Sequence, residues 1–318
     1  MQTKMYSIQP LQKTDLSSLT DLLTSGFKML SVNKQAPLIW KYFSNESDFP
    51  VTAYVAKVSD EVVSFYSNKV IPIRNSENIF LAGSCLDMAT KPEQRRKGLI
   101  KQLSKKVYEV VAEKKQPFSF GFSNEQGVKV DQNYSGYGYF VVGKFVNIYT
   151  TILDLHFGKK NRYSLIPATD FTQQPENYGT YFHINPSNSY LNWRYIQRPE
   201  NKYEIYELWE SEHFLGNVVV VLGKYQLSVL KITANLETIN FDLLLSQLRK
   251  LAYKKKKFFL NFFVLQNAFW KTVFKNKLTI KQQQPDYFLT IKTGVIDPQT
   301  QNKILNPDNW ICMGGDIM

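Results

Sequence analysis

The chain has 318 residues, 43% of them hydrophobic and 14% aromatic, which is enough apolar material for two domains and excludes a disordered polypeptide. Its 39 basic and 27 acidic side chains give a formal net charge of +12, which suits an anionic small molecule, a nucleic acid or an acidic membrane without choosing among them. Two cysteines exclude a disulfide framework and favour the cytoplasm, and we recognise neither a secretory signal nor an apolar run of the roughly 20 residues that span a bilayer.

Hydrophobic periodicity predicts a mixed α/β order in the first half of the chain. The predicted elements, in chain order, are a strand at 5–9, helices at 14–29 and 35–43, strands at 51–58, 61–72 and 78–90, a helix at 98–115, a buried strand at 117–123, a short helix at 125–134 and a long strand-pair region at 139–155.

The most informative stretch is LAGSCLDMATKPEQRRKGLIKQLSKKV at 81–107, where a strand passes through a basic turn into an amphipathic helix. The turn places Arg95, Arg96 and Lys97 around Gly98, and the helix start adds unpaired N–H groups and a positive dipole end. A glycine lets a phosphate oxygen approach the backbone closely. The turn therefore predicts a pyrophosphate site, although an ordinary basic turn before a surface helix is equally compatible with the composition.

This stretch resembles motif A of the GNAT superfamily of N-acetyltransferases, in which a strand leads through R/Q-x-x-G-x-G/A into a helix, and Pro92, Arg95 and Gly98 follow that order. The resemblance implies binding of acetyl-CoA or another acyl-CoA, with amides of the 95–100 turn on the pyrophosphate and the preceding strand along the pantetheine arm. Ile100 departs from the last small position of the motif, and Arg96 stands where many members carry glycine. The implied cofactor contacts are Met88, Thr90, Arg95, Arg96, Lys97, Gly98, Leu99 and Ile100.

A second segment, NYSGYGYFVVG at 133–143, resembles the Y-x-x-x-G-F segment of the same family. The resemblance implies that Tyr134 is the general acid that protonates the departing CoA thiolate. It also implies that Asn124, after the preceding strand, contacts the cofactor. Asp87, at the end of the strand before the basic turn, is a candidate general base; a solvent-facing carboxylate is the alternative, and the amine can also lose its proton through water.

After a polar connection at 157–179, the second half repeats the same order of elements with different residues. It predicts a strand at 180–185, a helix at 188–197, strands at 203–209, 214–222 and 226–233, a helix at 239–254, a strand at 258–264, a helix at 266–275 and a strand at 286–292. Its fourth strand leads through TANLETINFD into the helix, without a glycine or a basic cluster, so this copy is expected not to bind pyrophosphate.

The predicted fold class is therefore α/β, an α+β mixed sheet in two tandem acetyltransferase-like domains, the second degenerate. We place them at 1–156 and 157–318 and expect the second to shape the acceptor site. The segment SYLNWRYIQRPENKYEIYEL at 189–208 resembles the second domain of bacterial tandem acetyltransferases associated with surface-polysaccharide or similar small-molecule modification. Either Trp193 belongs to the core and Arg194 or Arg198 holds a loop, or this helix lies beside the acceptor pocket.

Other readings of the sequence are weaker. Gly138, Gly143 and Lys144 have P-loop spacing, but Phe145 replaces the Ser or Thr that would hold magnesium. The lysine run at 254–257 is typical of a helix C-terminus and only weakly of nucleic-acid binding. Cys85 lies within a predicted strand, where a packing role is more usual than catalysis. Metal-ligand spacing is absent around the three histidines, so no metal is expected: His156, His183 and His213.

The leading prediction is a cytoplasmic acyl-CoA-dependent N-acetyltransferase that moves an acyl group, most simply acetyl, to the amine of a small molecule or sugar by direct attack on the thioester. Two alternatives remain. One is an aminoacyl transferase of related tandem fold that takes its donor from charged tRNA, and the other is a non-catalytic binding protein that has lost the cofactor. No membrane partner is expected, and a nucleic-acid partner is disfavoured. The sequence gives no indication of the oligomeric state.

Overall fold

The computed structural model describes residues 6–27, 35–44, 51–113, 116–133, 138–153, 162–184, 187–199, 202–275, 277, 279–282 and 286–317. The strands are β1 Ser7–Pro10, β2 Val51–Val58, β3 Glu61–Arg74, β4 Ile79–Thr90, β5 Phe118–Asn124, β6 Phe140–Thr151, β7 Tyr163–Ala168, β8 Phe182–Ile184, β9 Tyr203–Glu210, β10 His213–Leu222, β11 Gln226–Ile232, β12 Phe259–Leu265, β13 Thr279–Gln282, β14 Tyr287–Thr293 and β15 Trp310–Ile311. The helices are α1 Leu16–Phe27, α2 Ala36–Phe43, α3 Leu99–Glu113, α4 Glu125–Asn133, α5 Asn188–Leu191, α6 Phe241–Lys254, α7 Ala268–Val273 and α8 Pro298–Ile304.

One sheet runs through both halves of the chain. Its strands follow the order β1-β2-β3-β4-β5-β14-β6-β12-β11-β10-β9-β7. β4 with β5 and β11 with β12 are parallel, and the other neighbours on this path are antiparallel. Each parallel pair is joined by a crossover helix, α3 in the first half and α6 in the second, as a parallel connection requires. The two halves therefore share the repeated strand and helix order that the sequence predicts.

The halves also exchange strands. β14, which comes from the second half of the chain, lies between β5 and β6. β6 in turn pairs with β14 through Phe140–Lys144 and with β12 through Phe145–Thr151, so it belongs to both parts of the sheet. The proposed boundary between 156 and 157 falls in 154–161, outside the described residues, and it stays a prediction; the strand pairing crosses it.

Helices cover both faces of the first half. α3 forms because Leu99, Leu103 and Val107 recur on one face, and all three are buried against β2 and β3. α1 and α2 cover the opposite face. A third, aromatic cluster lies where the two halves meet, and at its centre Trp40 of α2 stacks on Trp193 with ring centroids 4.5 Å apart.

Some elements differ from the sequence prediction. Of the stretch 139–155, where a strand pair was predicted, the structure describes 139–153, and these residues contain one continuous strand, β6. The connection at 157–179 contains β7, whose Pro167 is tolerated because the strand lies at the edge of the sheet. The helix predicted at 188–197 is α5 followed by a π-helical turn at Asn192–Ile196. The sequence analysis also missed β13, α8 and β15. Among the described residues, no helix is long and apolar enough to cross a membrane.

Candidate acyl-CoA site

Strands β4 and β5 separate in the middle of the first half. Their parallel pairing covers three residues on each strand, Gly83–Cys85 opposite Ser119–Gly121. Beyond Cys85, β4 stays paired with β3 as far as Thr90, while β5 continues beside β14. The edge of β4 at 86–90 therefore faces a gap instead of a strand, and its main-chain groups are available to an extended ligand.

A β-bulge lies at the start of this gap. β3 contributes one residue, Ser67, where β4 contributes two, Leu86 and Asp87. The Ser67 hydroxyl accepts from the Asp87 N–H and donates to the Asp87 carbonyl oxygen, both at 3.3 Å. A bulge twists its strand locally and redirects main-chain groups, and bulges are common beside active sites.

The basic turn follows β4 and ends at the first residue of α3. Arg96 and Gly98 adopt left-handed backbone conformations, with φ of 63° and 72°. Apart from the adjacent residues Lys97 and Leu99, no residue has a heavy atom within 4 Å of the position that a Cβ on Gly98 would occupy, so the turn is open on that side. Left-handed residues in such turns aim neighbouring N–H groups into anion-binding concavities, and the first N–H groups of α3 lack acceptors within the helix. The cationic side chains of the turn are exposed: Arg95, Arg96 and Lys97.

Several of the predicted cofactor residues have side chains that contact the protein itself. Leu99 is buried in the α3 core, and Met88 and Ile100 pack against the same cluster. The Ile100 side chain thus turns away from the open side of the turn. The Thr90 hydroxyl lies 2.7 Å from that of Ser64, and the Thr90 carbonyl accepts from Nε of Arg95 at 3.3 Å.

The equivalent helix of the second half begins differently. The Asn240 side chain accepts from the N–H groups of Asp242 and Leu243, at 3.1 and 3.2 Å, and so occupies the start of α6. Asp242 adds a negative charge in the first turn. A capped and acidic helix start is unfavourable for an anion, and the absence of a pyrophosphate site in the second copy stays a prediction.

Asp87, the candidate base, is held by α2. Its carboxylate lies 2.6 Å from Nζ of Lys41 and also accepts a short hydrogen bond from the Tyr42 hydroxyl. Burial, together with the Asp87 charge, raises the pKa of Tyr42 well above its usual value, so Tyr42 remains a donor. The carboxylate is fixed at the bulge, beside the gap, and its role as a base stays a prediction.

Comparison with known proteins agrees with this geometry. A sequence-family model for the acetyltransferase (GNAT) domain matches residues 7–142. Those residues form a GNAT domain. They contain β1–β5, α1–α4, the basic turn and the first residues of β6. No curated protein sequence matches the chain.

Several solved structures resemble the chain over about nine-tenths of its length. A conserved protein of unknown function from Enterococcus faecalis, described as a probable N-acyltransferase, is 10% identical, with a TM-score of 0.68 over 91% of this chain and 73% of its own. A GCN5-related N-acetyltransferase from Anabaena variabilis is 10% identical, with a TM-score of 0.67 over 90% of this chain and 72% of its own. A tandem GNAT protein from the clavulanic acid biosynthesis pathway is 11% identical, with a TM-score of 0.57 over 92% and 100%. The predicted superfamily is confirmed for residues 7–142, and the predicted tandem fold is confirmed by the likeness to the tandem GNAT protein.

Two further predicted site residues belong to the GNAT domain. Asn124 ends β5, and its side-chain oxygen accepts from the Gly127 N–H at 2.8 Å. This contact caps α4 and accounts for the asparagine without a cofactor; a cofactor contact stays a prediction. Tyr134, the expected general acid, lies outside the described residues.

A chain of tyrosine hydroxyls crosses the α3 side of the GNAT domain. The Tyr66 hydroxyl lies 3.0 Å from that of Tyr108, which forms a short hydrogen bond to the hydroxyl of Tyr139. Burial, followed by the neighbouring Cys85 and Tyr108, raises the pKa of Tyr66 well above its usual value. No local sequence signal joins these residues, because they come from β3, α3 and the residue before β6.

The end of the described chain lies against the gap. Trp310 to Met313 are buried, and a small cleft between β4 and β5 is lined by Ser84, Cys85, Leu86, Phe122, Asp316 and Ile317. The Asp316 carboxylate forms a buried ion pair with Lys231 of β11 at 2.5 Å. Residues of the second half therefore lie beside the gap between β4 and β5. The sequence WICM, at 310–313, gives no indication of this arrangement.

Trp193 and Arg194 adopt the core role that the sequence analysis considered. Trp193 is buried on Trp40, and Nη2 of Arg194 donates to the Ile317 carbonyl at 2.8 Å. Arg198 binds the Tyr203 hydroxyl at 2.7 Å. Among the described residues, no group of three or more His, Cys, Asp or Glu side chains could hold a metal ion.

Proposed function

We propose that this protein transfers the acetyl group of acetyl-CoA to the amine of a small molecule or sugar. One observation carries the proposal: β4 parts from β5 immediately before a basic turn that leads, through Arg96 and Gly98 in left-handed conformations, into α3. A gap with free strand edges suits the amide groups of a pantetheine arm. An open, cationic turn at a helix N-terminus suits a pyrophosphate. The two features lie in the order in which the cofactor would need them.

In this proposal the main chain at 86–90 pairs with the pantetheine arm and places the thioester at the β4 bulge. The N–H groups at the start of α3 hold the pyrophosphate, with Arg95, Arg96 and Lys97 adding positive charge. The acceptor amine attacks the thioester carbonyl carbon, and the tetrahedral intermediate collapses by breaking the carbon–sulfur bond. Asp87 takes the amine proton, directly or through water, and Tyr134 protonates the departing thiolate.

Calorimetric titration with acetyl-CoA tests for the cofactor site. Comparing two substitutions at Gly98 shows whether the cofactor binds at this turn. Gly98→Asp and Gly98→Asn add side chains of nearly equal size, both tolerate a left-handed backbone, and the space beside Gly98 is open. They differ by one negative charge. We expect micromolar binding by the wild type, and binding at least about 10-fold weaker for Gly98→Asp than for Gly98→Asn, because the added carboxylate faces the pyrophosphate.

Equal affinities of the two variants would show that the cofactor binds elsewhere. No binding by the folded wild type would contradict the proposal and leave the two alternatives, a non-catalytic GNAT-fold protein and an aminoacyl transferase that uses charged tRNA. Circular dichroism of both variants controls for folding, so that a loss of binding is assigned to the charge.

A further inference from the structure

Three chain segments lie side by side where β6 ends and β11 and β12 begin. They are the end of β6 at 151–153, the turn between β10 and β11 at 222–226, and the end of α6 with the start of β12 at 253–259. Main-chain hydrogen bonds join them: the Phe258 N–H donates to the Tyr225 carbonyl at 2.8 Å, and the Ile152 N–H donates to the Phe258 carbonyl at 3.3 Å. Their side chains therefore belong to one surface, which we call the lysine-rich patch.

Large hydrophobic side chains of this patch are turned to solvent. Leu153 is 85% exposed, Tyr253 62% and Phe258 61%. Tyr225 and Phe259 are exposed as well. Single exposed hydrophobic residues are ordinary on a protein surface, but a group of them in adjoining segments is typical of a surface that binds another molecule or a membrane.

The same segments carry no acidic residue and five lysines: Lys224, Lys254, Lys255, Lys256 and Lys257. Lys255 pairs with Glu204 of β9 at 2.9 Å. For the other four, no carboxylate oxygen lies within 4.0 Å in the part of the chain that the structure describes. A helix C-terminus accounts for lysines, but not for exposed hydrophobic side chains beside them. The patch is therefore both cationic and apolar.

We propose that the lysine-rich patch docks the protein onto a membrane surface that contains anionic lipids. Leu153 and Phe258 enter the boundary between headgroups and acyl chains, and the lysines contact the headgroups. Tyr225 and Tyr253 place their rings at the same boundary, with the hydroxyls toward water. The inference does not depend on the proposed acetyl transfer. It departs from the sequence-based expectation of no membrane partner, because the exposure of these side chains is visible only in the structure.

The composition of the patch favours a membrane over a nucleic acid. Its cations are all lysines, whereas arginine is the residue that binds phosphates through paired hydrogen bonds and stacks on bases. Its most exposed hydrophobic side chain, Leu153, has no aromatic face to stack on a base. Tyrosine and lysine both combine an apolar body with a polar tip, which is typical of side chains at a membrane interface.

Sedimentation of the full chain with vesicles measures the docking. Phosphatidylcholine vesicles that contain about 30% phosphatidylserine are compared with vesicles of phosphatidylcholine alone. We expect the anionic vesicles to be bound at least about 10-fold more tightly at about 0.1 M NaCl, and the difference to shrink at about 1 M, where the Debye length falls from about 10 Å to about 3 Å. Equal binding of the two kinds of vesicle, or binding of neither, contradicts the proposal.

Removing three lysines tests the role of charge at this position. The test variant combines three substitutions in the patch: Lys224→Gln, Lys254→Gln and Lys256→Gln. The matched control removes the same charge at three exposed positions elsewhere: Lys13→Gln, Lys129→Gln and Lys271→Gln. The patch variant should bind anionic vesicles at least about 10-fold more weakly than the control. An equal loss in both variants would mean that net charge alone attracts the protein, and it would overturn the assignment.

Phe258→Ala tests the insertion of a hydrophobic side chain. It should weaken vesicle binding by about 3- to 10-fold, because the ring no longer transfers out of water. Ile79→Ala is the matched control, since Ile79 is 64% exposed but lies at the start of β4, and it should leave vesicle binding unchanged. Circular dichroism of each variant checks folding. Unchanged binding by the folded Phe258→Ala protein would rule out insertion at the patch.

The outcomes separate this inference from the proposed function. Calorimetry with acetyl-CoA should give the same affinity for the wild type and the patch variant. If acetyl-CoA does not bind, the transferase proposal fails and the vesicle result still stands. Transfer RNA is the probe for a nucleic acid: binding that depends on the patch lysines, without binding to anionic vesicles, would overturn the membrane assignment.

Discussion

Replacing Arg96 with glycine separates backbone strain from cofactor binding. Arg96 has a φ of 63°, and a left-handed conformation costs a non-glycine residue about 1–2 kcal/mol. Glycine loses about 0.5–1 kcal/mol more backbone entropy on folding than alanine, so Arg96→Gly should raise the free energy of unfolding by roughly 0.5–1 kcal/mol. The same change removes one exposed cation beside the pyrophosphate and should weaken acetyl-CoA binding by roughly 3- to 5-fold at low salt, less at high salt.

Lys256→Gly is the matched control. Lys256 is also an exposed cation with a left-handed backbone, at a φ of 56°. Its N–H donates to the Tyr253 carbonyl and that of Lys257 to the Ala252 carbonyl, both at 2.9 Å, which is the Schellman ending of α6 where glycine is usual. Urea unfolding should show a similar gain in stability for both variants, and calorimetry a loss of affinity for Arg96→Gly alone. An equal loss of affinity in both would refute a specific role for the turn.

Three further predictions concern buried groups. Burial lowers the pKa of Lys69 to about 7, so above that pH the folded state binds fewer protons than the unfolded state. The contribution of Lys69 therefore makes the free energy of unfolding rise with pH between about 7 and 10. Lys69→Met should reduce this rise, measured by urea unfolding at pH 7 and pH 9. Lys231→Met leaves the buried Asp316 unpaired and should cost about 3–5 kcal/mol of unfolding free energy, against less than about 1 kcal/mol for Lys277→Met at a more exposed pair; equal costs would contradict the buried pair. Tyr108→Phe removes the hydroxyl that links Tyr66 to Tyr139 and should reduce the free energy of unfolding by about 1–3 kcal/mol. The melting temperature should fall accordingly, and an unchanged melting temperature would contradict this prediction.

Local features of the GNAT domain were readable from the sequence. The basic turn, the start of α3 after Gly98 and the buried face of that helix depend on neighbouring residues, whose spacing the sequence records directly. The lysine run at 254–257 likewise forms the end of α6, as its position indicates.

Features that depend on distant pairing were not readable. β14 enters between β5 and β6 because of hydrogen bonds to residues more than a hundred positions away, and nothing within its own sequence records that choice of partner. The same holds for the carboxylate of Asp87 on Lys41 and for the buried Arg194. The sequence showed that such residues existed, but their neighbours are set by the tertiary fold.

Hydrogen exchange with and without acetyl-CoA tests the central claim, that the cofactor binds the gap and turn of the first half, most directly. The account predicts slower exchange of main-chain amides at 86–90 and at 96–102, with no matching protection at 233–245, where Asn240 already caps α6. Protection confined to 233–245, or none at a saturating concentration of acetyl-CoA, would contradict it.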